Sequence, residues 1–117
     1  MWWTIAGVMG ALGVGLGAFG AHGLKNVVDD PHLLEVWETG ARYHMFHALA
    51  LLGVAAHPKT PDAAGWLFIA GTLLFSGSLY TMTLTGHRWL GAITPIGGVC
   101  FILGWLVLAW SARAIGA

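Results

Sequence analysis

Four apolar stretches fill the chain, and short polar segments between them hold nearly all of its charges. A helical crossing of the roughly 30 Å hydrocarbon layer takes about 20 apolar residues. Four crossings therefore use almost all of the 117 residues. The pattern predicts an all-α integral membrane protein, an antiparallel four-helix transmembrane bundle with a single transmembrane domain over 1–117. Its helices are expected at about 2–23, 31–56, 61–85 and 90–113, each reversing the one before because the connections are short.

Start and stop signals refine these bounds. Asp30-Pro31 reads as an N-cap followed by a first helical residue, where proline loses no hydrogen bond, and Thr60-Pro61-Asp62 repeats the signal. The second helix opens on amphipathic turns with Glu35, Glu38 and Arg42 on one face, and its apolar part, 43–56, is short for a crossing. Thr94-Pro95 interrupts the fourth stretch, so that helix either starts at Pro95 or kinks there, with irregular backbone expected over 93–98.

Composition agrees. Hydrophobic residues make up 57% of the chain, charged residues 9%, and there are seven Trp; mean hydropathy is +0.75. The formal net charge is zero, so there is no electrostatic footprint for nucleic acid. Membrane lipid is the expected surrounding, with a multi-pass location in a bacterial cell inner membrane. Residues 1–24 lack the positive start of a secretory signal, the first basic residue being Lys25, and read as a retained first helix with Trp2 and Trp3 at head-group level. The lone Cys100 has no partner for an intrachain disulfide.

Ala6, Gly10, Gly13, Gly17 and Gly20 recur at spacings of four and three, one stripe of the first helix on which a neighbouring backbone can approach closely. The stripe predicts packing against the chain's own bundle, a membrane-protein partner or a second copy.

If the helices alternate in direction, most polar residues gather at one membrane face. On the second helix His44 and His47 point away from the Glu35, Glu38 and Arg42 face, and His22 is expected at similar depth. Three imidazoles so placed could hold haem, a metal or a quinone. With no carboxylate or cysteine at ligand spacing, they equally suit hydrogen bonds to neighbouring helices, and no metal site is assigned. Glu38 and Arg42 are expected to pair at i,i+4, and Ser76, Ser78, Tyr80, Thr94 and Pro95 to serve structure through interhelical hydrogen bonds and the proline start. No activating base stands near the hydroxyls, so no catalytic residue is expected.

The segments Gly17-Ala-Phe-Gly-Ala-His-Gly-Leu24, Tyr43-His-Met-Phe-His-Ala-Leu-Ala-Leu-Leu52, Phe75-Ser-Gly-Ser-Leu-Tyr80, Leu90-Gly-Ala-Ile-Thr-Pro-Ile-Gly-Gly98 and Gly104-Trp105 resemble, in this order, domain of unknown function family 423, the YgdD-like and transmembrane protein 256-like small membrane proteins. The resemblance implies a four-helix membrane protein and brings no activity with it. The leading expectation is a non-enzymatic accessory, assembly or helix-packing subunit. Haem, metal or quinone binding near His22, His44 and His47 is the alternative. Translocation of a proton or small solute is a third reading, weakened by the narrow interior of four helices and the lack of an inverted repeat.

Overall fold

An aspartate and a proline start the longest helix, α2 (Pro31–Ala56), in which Asp30 Oδ1 accepts from the His32 N–H at 2.9 Å. The structure is a computed structural model and describes residues 1–116. Before α2 come α1 (Trp2–Ala21) and one 3₁₀ turn at Leu24–Asn26. After it come α3 (Asp62–Thr85) and α4 (Thr94–Ser111). α3 stops at Gly86, whose φ of 75° is the left-handed conformation that closes a helix without a Cβ penalty.

Four boundaries differ from the sequence reading, one of them the end of α4, at Ser111 rather than 113. α1 ends at Ala21 rather than Gly23. Thr60 does not cap α3: its φ is 42° and its hydroxyl turns back to the His57 carbonyl at 3.4 Å. The fourth helix begins at Thr94, not residue 90, because Arg88–Ala92 form a separate 3₁₀ turn. Pro95 then occupies the first turn, where its missing N–H has no intrahelical partner to lose. The backbone over 94–98 is consequently helical, against the irregular run expected there.

Midway along α3 the helix widens into a π turn at Thr72–Ser76. Two glycines hold it from opposite sides. A Cβ on Gly97 of α4 would collide with the Phe75 backbone, so only glycine lets the two main chains meet there. On the other side Ser76 Oγ donates to the Gly40 carbonyl of α2 at 2.6 Å. An inserted residue unbalances the i→i−4 ladder, and here the Thr72 hydroxyl donates to the Phe68 carbonyl at 2.9 Å.

Register follows from individual contacts. On α1 and α2, Met9 meets His44 and Leu16 meets Trp37. On α2 and α3, Leu33 meets Thr83, Gly40 meets Ser76 and His47 meets Phe68. On α3 and α4, Phe68 meets Gly104, Phe75 meets Gly97 and Ser78 meets Thr94. In each pair, rising residue numbers on one helix meet falling numbers on the next. α2 and α3 lie inside, and α1 and α4 flank them.

At the start of α1, Trp2 turns inward. It is buried, covers Gly65 and donates Nε1–H to Asp62 Oδ1 at 2.7 Å, which pins the start of α1 to the start of α3; Trp3 stays exposed. The core continues through Ala6, Met9, Leu51, Val54, Ala64, Phe68 and Phe101. Outside it, Val8, Leu12 and Val14 on α1 and Ile96, Val99, Ile102 and Leu106 on α4 are exposed. Exposed aliphatic rows of this kind suit acyl chains. Among the described residues three helical segments are long and apolar enough to cross a membrane, Trp2–Ala21, Asp62–Thr85 and Arg88–Ile115; α2 is not one of them. The molecule is 51 Å long, enough to span a bilayer with its head groups.

Candidate functional site

The polar centre is built on one face of α2, where Gly40, His44, His47 and Leu51 are all buried. Spacings of three and four residues put them on one stripe that looks toward the other helices. Two rings on this stripe, one turn apart, are held in different ways.

His44 Nε2 lies 2.9 Å from the Met9 carbonyl of α1, and His44 Nδ1 lies 3.0 Å from the Tyr80 hydroxyl of α3. A carbonyl only accepts, so Nε2 carries the proton and Tyr80 donates to Nδ1. At His47 the order is reversed. Nδ1 lies 2.7 Å from the Tyr43 carbonyl of its own helix, while the Trp105 indole of α4, which can only donate, reaches Nε2 at 3.0 Å. His47 is therefore the Nδ1–H tautomer and His44 the Nε2–H tautomer. Both are neutral rings with every nitrogen in a hydrogen bond.

The His47 plane is further fixed by Phe101, stacked at 3.6 Å between centroids and 8° between planes, and flanked by Phe68. Beside His44, Tyr80 packs on Trp37 at 4.6 Å. Trp37 sends its own Nε1–H to the Leu16 carbonyl of α1 at 2.9 Å.

The α1 glycines acquire a specific role from these bonds. Helical N–H groups bond to the carbonyl four residues back. Gly13 and Gly20 thus stand directly after the Met9 and Leu16 carbonyls that His44 and Trp37 reach. A Cβ at Gly20 would lie 2.5 Å from Trp37 Cδ1, whereas one at Gly13 would press on Met45 Cε at 3.0 Å and only touch His44 Cδ2 at 3.4 Å. At Gly20 the missing side chain opens the path by which the Trp37 ring shares a backbone acceptor already used inside α1. Sequence reasoning missed these carbonyl acceptors, although Met9 and Gly13, and Leu16 and Gly20, share the i,i+4 relation that marks them.

The five small residues do not act as one stripe. Ala6, Gly13 and Gly20 face α2 or the core, whereas a Cβ on Gly10 or Gly17 would meet nothing within 4 Å. The three histidines do not converge either. His22 ends α1 and is exposed; nine residues of helix separate it from Gly13 at the His44 ring, roughly 13 Å of rise. The expected common depth is thus corrected, because His44 pairs with the middle of α1 rather than its end. Among the described residues no group of three His, Cys, Asp or Glu side chains stands close enough to hold a metal ion.

The remaining polar residues have structural partners. Arg42 and Glu38 form an exposed i,i+4 pair at 3.0 Å, of a kind worth under about 1 kcal/mol. Ser78 and Thr94 share a hydroxyl–hydroxyl bond at 2.6 Å between α3 and α4. Tyr80 and Ser76 serve α2 as described, and Pro95 lies in the first turn of α4.

This arrangement of small residues and aromatic rings is the setting for the comparisons with known proteins. Residues 16–98 match the family described as Protein of unknown function (DUF423). The UPF0382 membrane protein YwdK of Bacillus subtilis is 50% identical over 115 residues, covering 92% of this chain and 93% of its own. The UPF0382 membrane protein SAB0533 of Staphylococcus aureus is 50% identical over 109 residues, covering 86% and 88%. The UPF0382 membrane protein C1782.12c of Schizosaccharomyces pombe is 46% identical over 113 residues, covering 91% and 96%. No solved structure matches the chain. With apolar helices long enough to cross a bilayer and membrane proteins for relatives over nearly its whole length, the chain belongs to the DUF423 family and is a multi-pass membrane protein.

Proposed function

We propose that the protein is a non-enzymatic packing subunit: an antiparallel four-helix transmembrane bundle that associates, through the outer face of α1, with a second copy or with another membrane protein that it helps to assemble. The observation that carries this reading is the divided glycine stripe. Gly13 and Gly20 serve the bond network to α2, while Gly10 and Gly17 face open space. Around them the uncovered side of α1 presents Gly7, Ala11, Val14, Ala18 and Ala21, a run of small residues with Trp3 at its start and with Leu12 and Phe19 exposed beside it. Close backbone approach is what small residues provide between helices in lipid, where there is no water to expel.

The internal bonds support the same choice over a cofactor. With all four nitrogens of His44 and His47 engaged, neither of these two rings has a lone pair left for a metal or haem iron. Both bond chains end on backbone carbonyls, Met9 and Tyr43, which cannot take up a proton and pass it on. Chemical cross-linking and native mass spectrometry of Gly10→Leu test the proposal. Loss of the associated species with an unchanged unfolding midpoint is expected, and association equal to the parent protein overturns it.

A further inference from the structure

We propose that the groove between the end of α1 and the start of α2 holds one phospholipid whose head group carries a primary ammonium beside its phosphate. The groove is a cavity of about 460 Å³ with Gly17, Leu34 and Trp37 as its bed and Lys25, Glu35 and Glu38 on its lining. That volume is within the range of ligand sites. The bed is apolar, and the Gly17 side is open, since a Cβ there meets nothing within 4 Å.

Position and charge select the occupant. Lys25 lies just beyond the end of α1, and Glu35 and Glu38 lie in the opening turns of α2, so the charges stand at the helix ends where head groups lie. Glu38 pairs with Arg42 at 3.0 Å; among the described residues neither Lys25 nor Glu35 is in an ion pair. One free ammonium and one free carboxylate in the same groove complement a head group that is itself a phosphate next to an ammonium. Lys25 bonds the phosphate, and Glu35 accepts from the lipid ammonium in a charge-assisted hydrogen bond. A trimethylammonium head has no N–H to donate, and a glycerol head brings a negative charge toward two carboxylates without a cation to meet them. The first acyl segment then lies along Leu34 and Trp37. Gly17 belongs both to this groove and to the outer face of α1, whereas Gly10 lies outside the groove lining, so Gly10→Leu separates lipid retention from the packing role.

The test is native mass spectrometry of the full-length protein released from nanodiscs containing equal amounts of phosphatidylethanolamine, phosphatidylcholine and phosphatidylglycerol. One phosphatidylethanolamine retained per chain is expected, enriched about tenfold over the other two, the ratio that one or two head-group bonds supply. Lys25→Gln and Glu35→Gln, both on exposed side chains, each reduce that enrichment severalfold. Gly17→Leu fills the groove and removes the retained lipid, while Gly10→Leu leaves it in place even where it breaks association. Equal retention of the three lipids, preference for phosphatidylglycerol, or enrichment that survives Lys25→Gln and Glu35→Gln overturns the proposal.

Discussion

The Trp105 indole of α4 donates to His47 Nε2 of α2 across 3.0 Å, a link between helices that are not consecutive in the chain. It settles the tautomer of His47 and ties α4 to the inner pair of helices. Trp105→Phe keeps most of the ring and removes the donor. A loss of about 1 kcal/mol is expected, near the average for interhelical bonds in membranes. Thermal unfolding in detergent measures it, and a double-mutant cycle with His47→Ala should recover most of that energy as coupling.

Gly97 and Gly98 are neighbours with opposite fates. A Cβ at Gly97 meets the Phe75 backbone, whereas one at Gly98 only approaches Phe75 Cδ2 at 3.9 Å. Gly97→Ala is expected to cost at least about 2 kcal/mol, as overpacking against rigid main chain does, and Gly98→Ala less than about 0.5 kcal/mol. Equal midpoints for the two variants would show that the π turn is not clamped as described.

Gly20→Ala should separate Trp37 from the Leu16 carbonyl, because its Cβ would fall 2.6 Å from Trp37 Nε1. Destabilisation by about 1–3 kcal/mol is expected. Amide hydrogen exchange is the sharper reading: faster exchange confined to α1 and the facing part of α2, with α3 and α4 protected as before, is the expected outcome.

Tyr80→Phe removes the donor to His44 Nδ1 and leaves a buried acceptor unpaired. A cost of about 1–2 kcal/mol follows. His44→Ala and His47→Ala should lower the unfolding midpoint without changing the visible absorbance or metal content of the purified protein. Loss of a chromophore or a stoichiometric metal in either variant would support the cofactor reading instead.

Element type and order were legible because each rests on a local signal: apolar length for α1, α3 and α4, and Asp30-Pro31 for the start of α2. The Glu38–Arg42 pair was legible for the same reason, being a matter of spacing on one helix. The site was only half legible. That His44 and His47 share a buried face follows from their spacing, but their partners are a main-chain carbonyl on α1 and an indole on α4, which no spacing rule within α2 reveals. The His22 misplacement came from counting depth along the chain as though the helices met end to end; in the structure Met9, not the C-terminal turn of α1, lies opposite His44. The π turn left no signal in residue type, since Thr72–Ser76 reads as ordinary helix and the close contacts around it come from Gly40 and Gly97 on other helices.

The placement of α2 bears on how the protein is made. In the proposed bundle the least apolar helix is an inner one and is joined to both of its neighbours through side chains bonding to main-chain carbonyls. As the chain leaves the ribosome, α1 is apolar enough to settle in the bilayer alone, but α2 follows with a charged entrance and with the Tyr80 and Trp105 partners of its two imidazoles still to come. In chain order its partners come in stages: α1 carries the acceptors for Trp37 and His44, α3 then brings Ser76 and Tyr80, and Trp105 comes last. A chain stopped after Ala56 would leave α2 without Ser76, Tyr80 and Trp105, the partners that lie beyond that point.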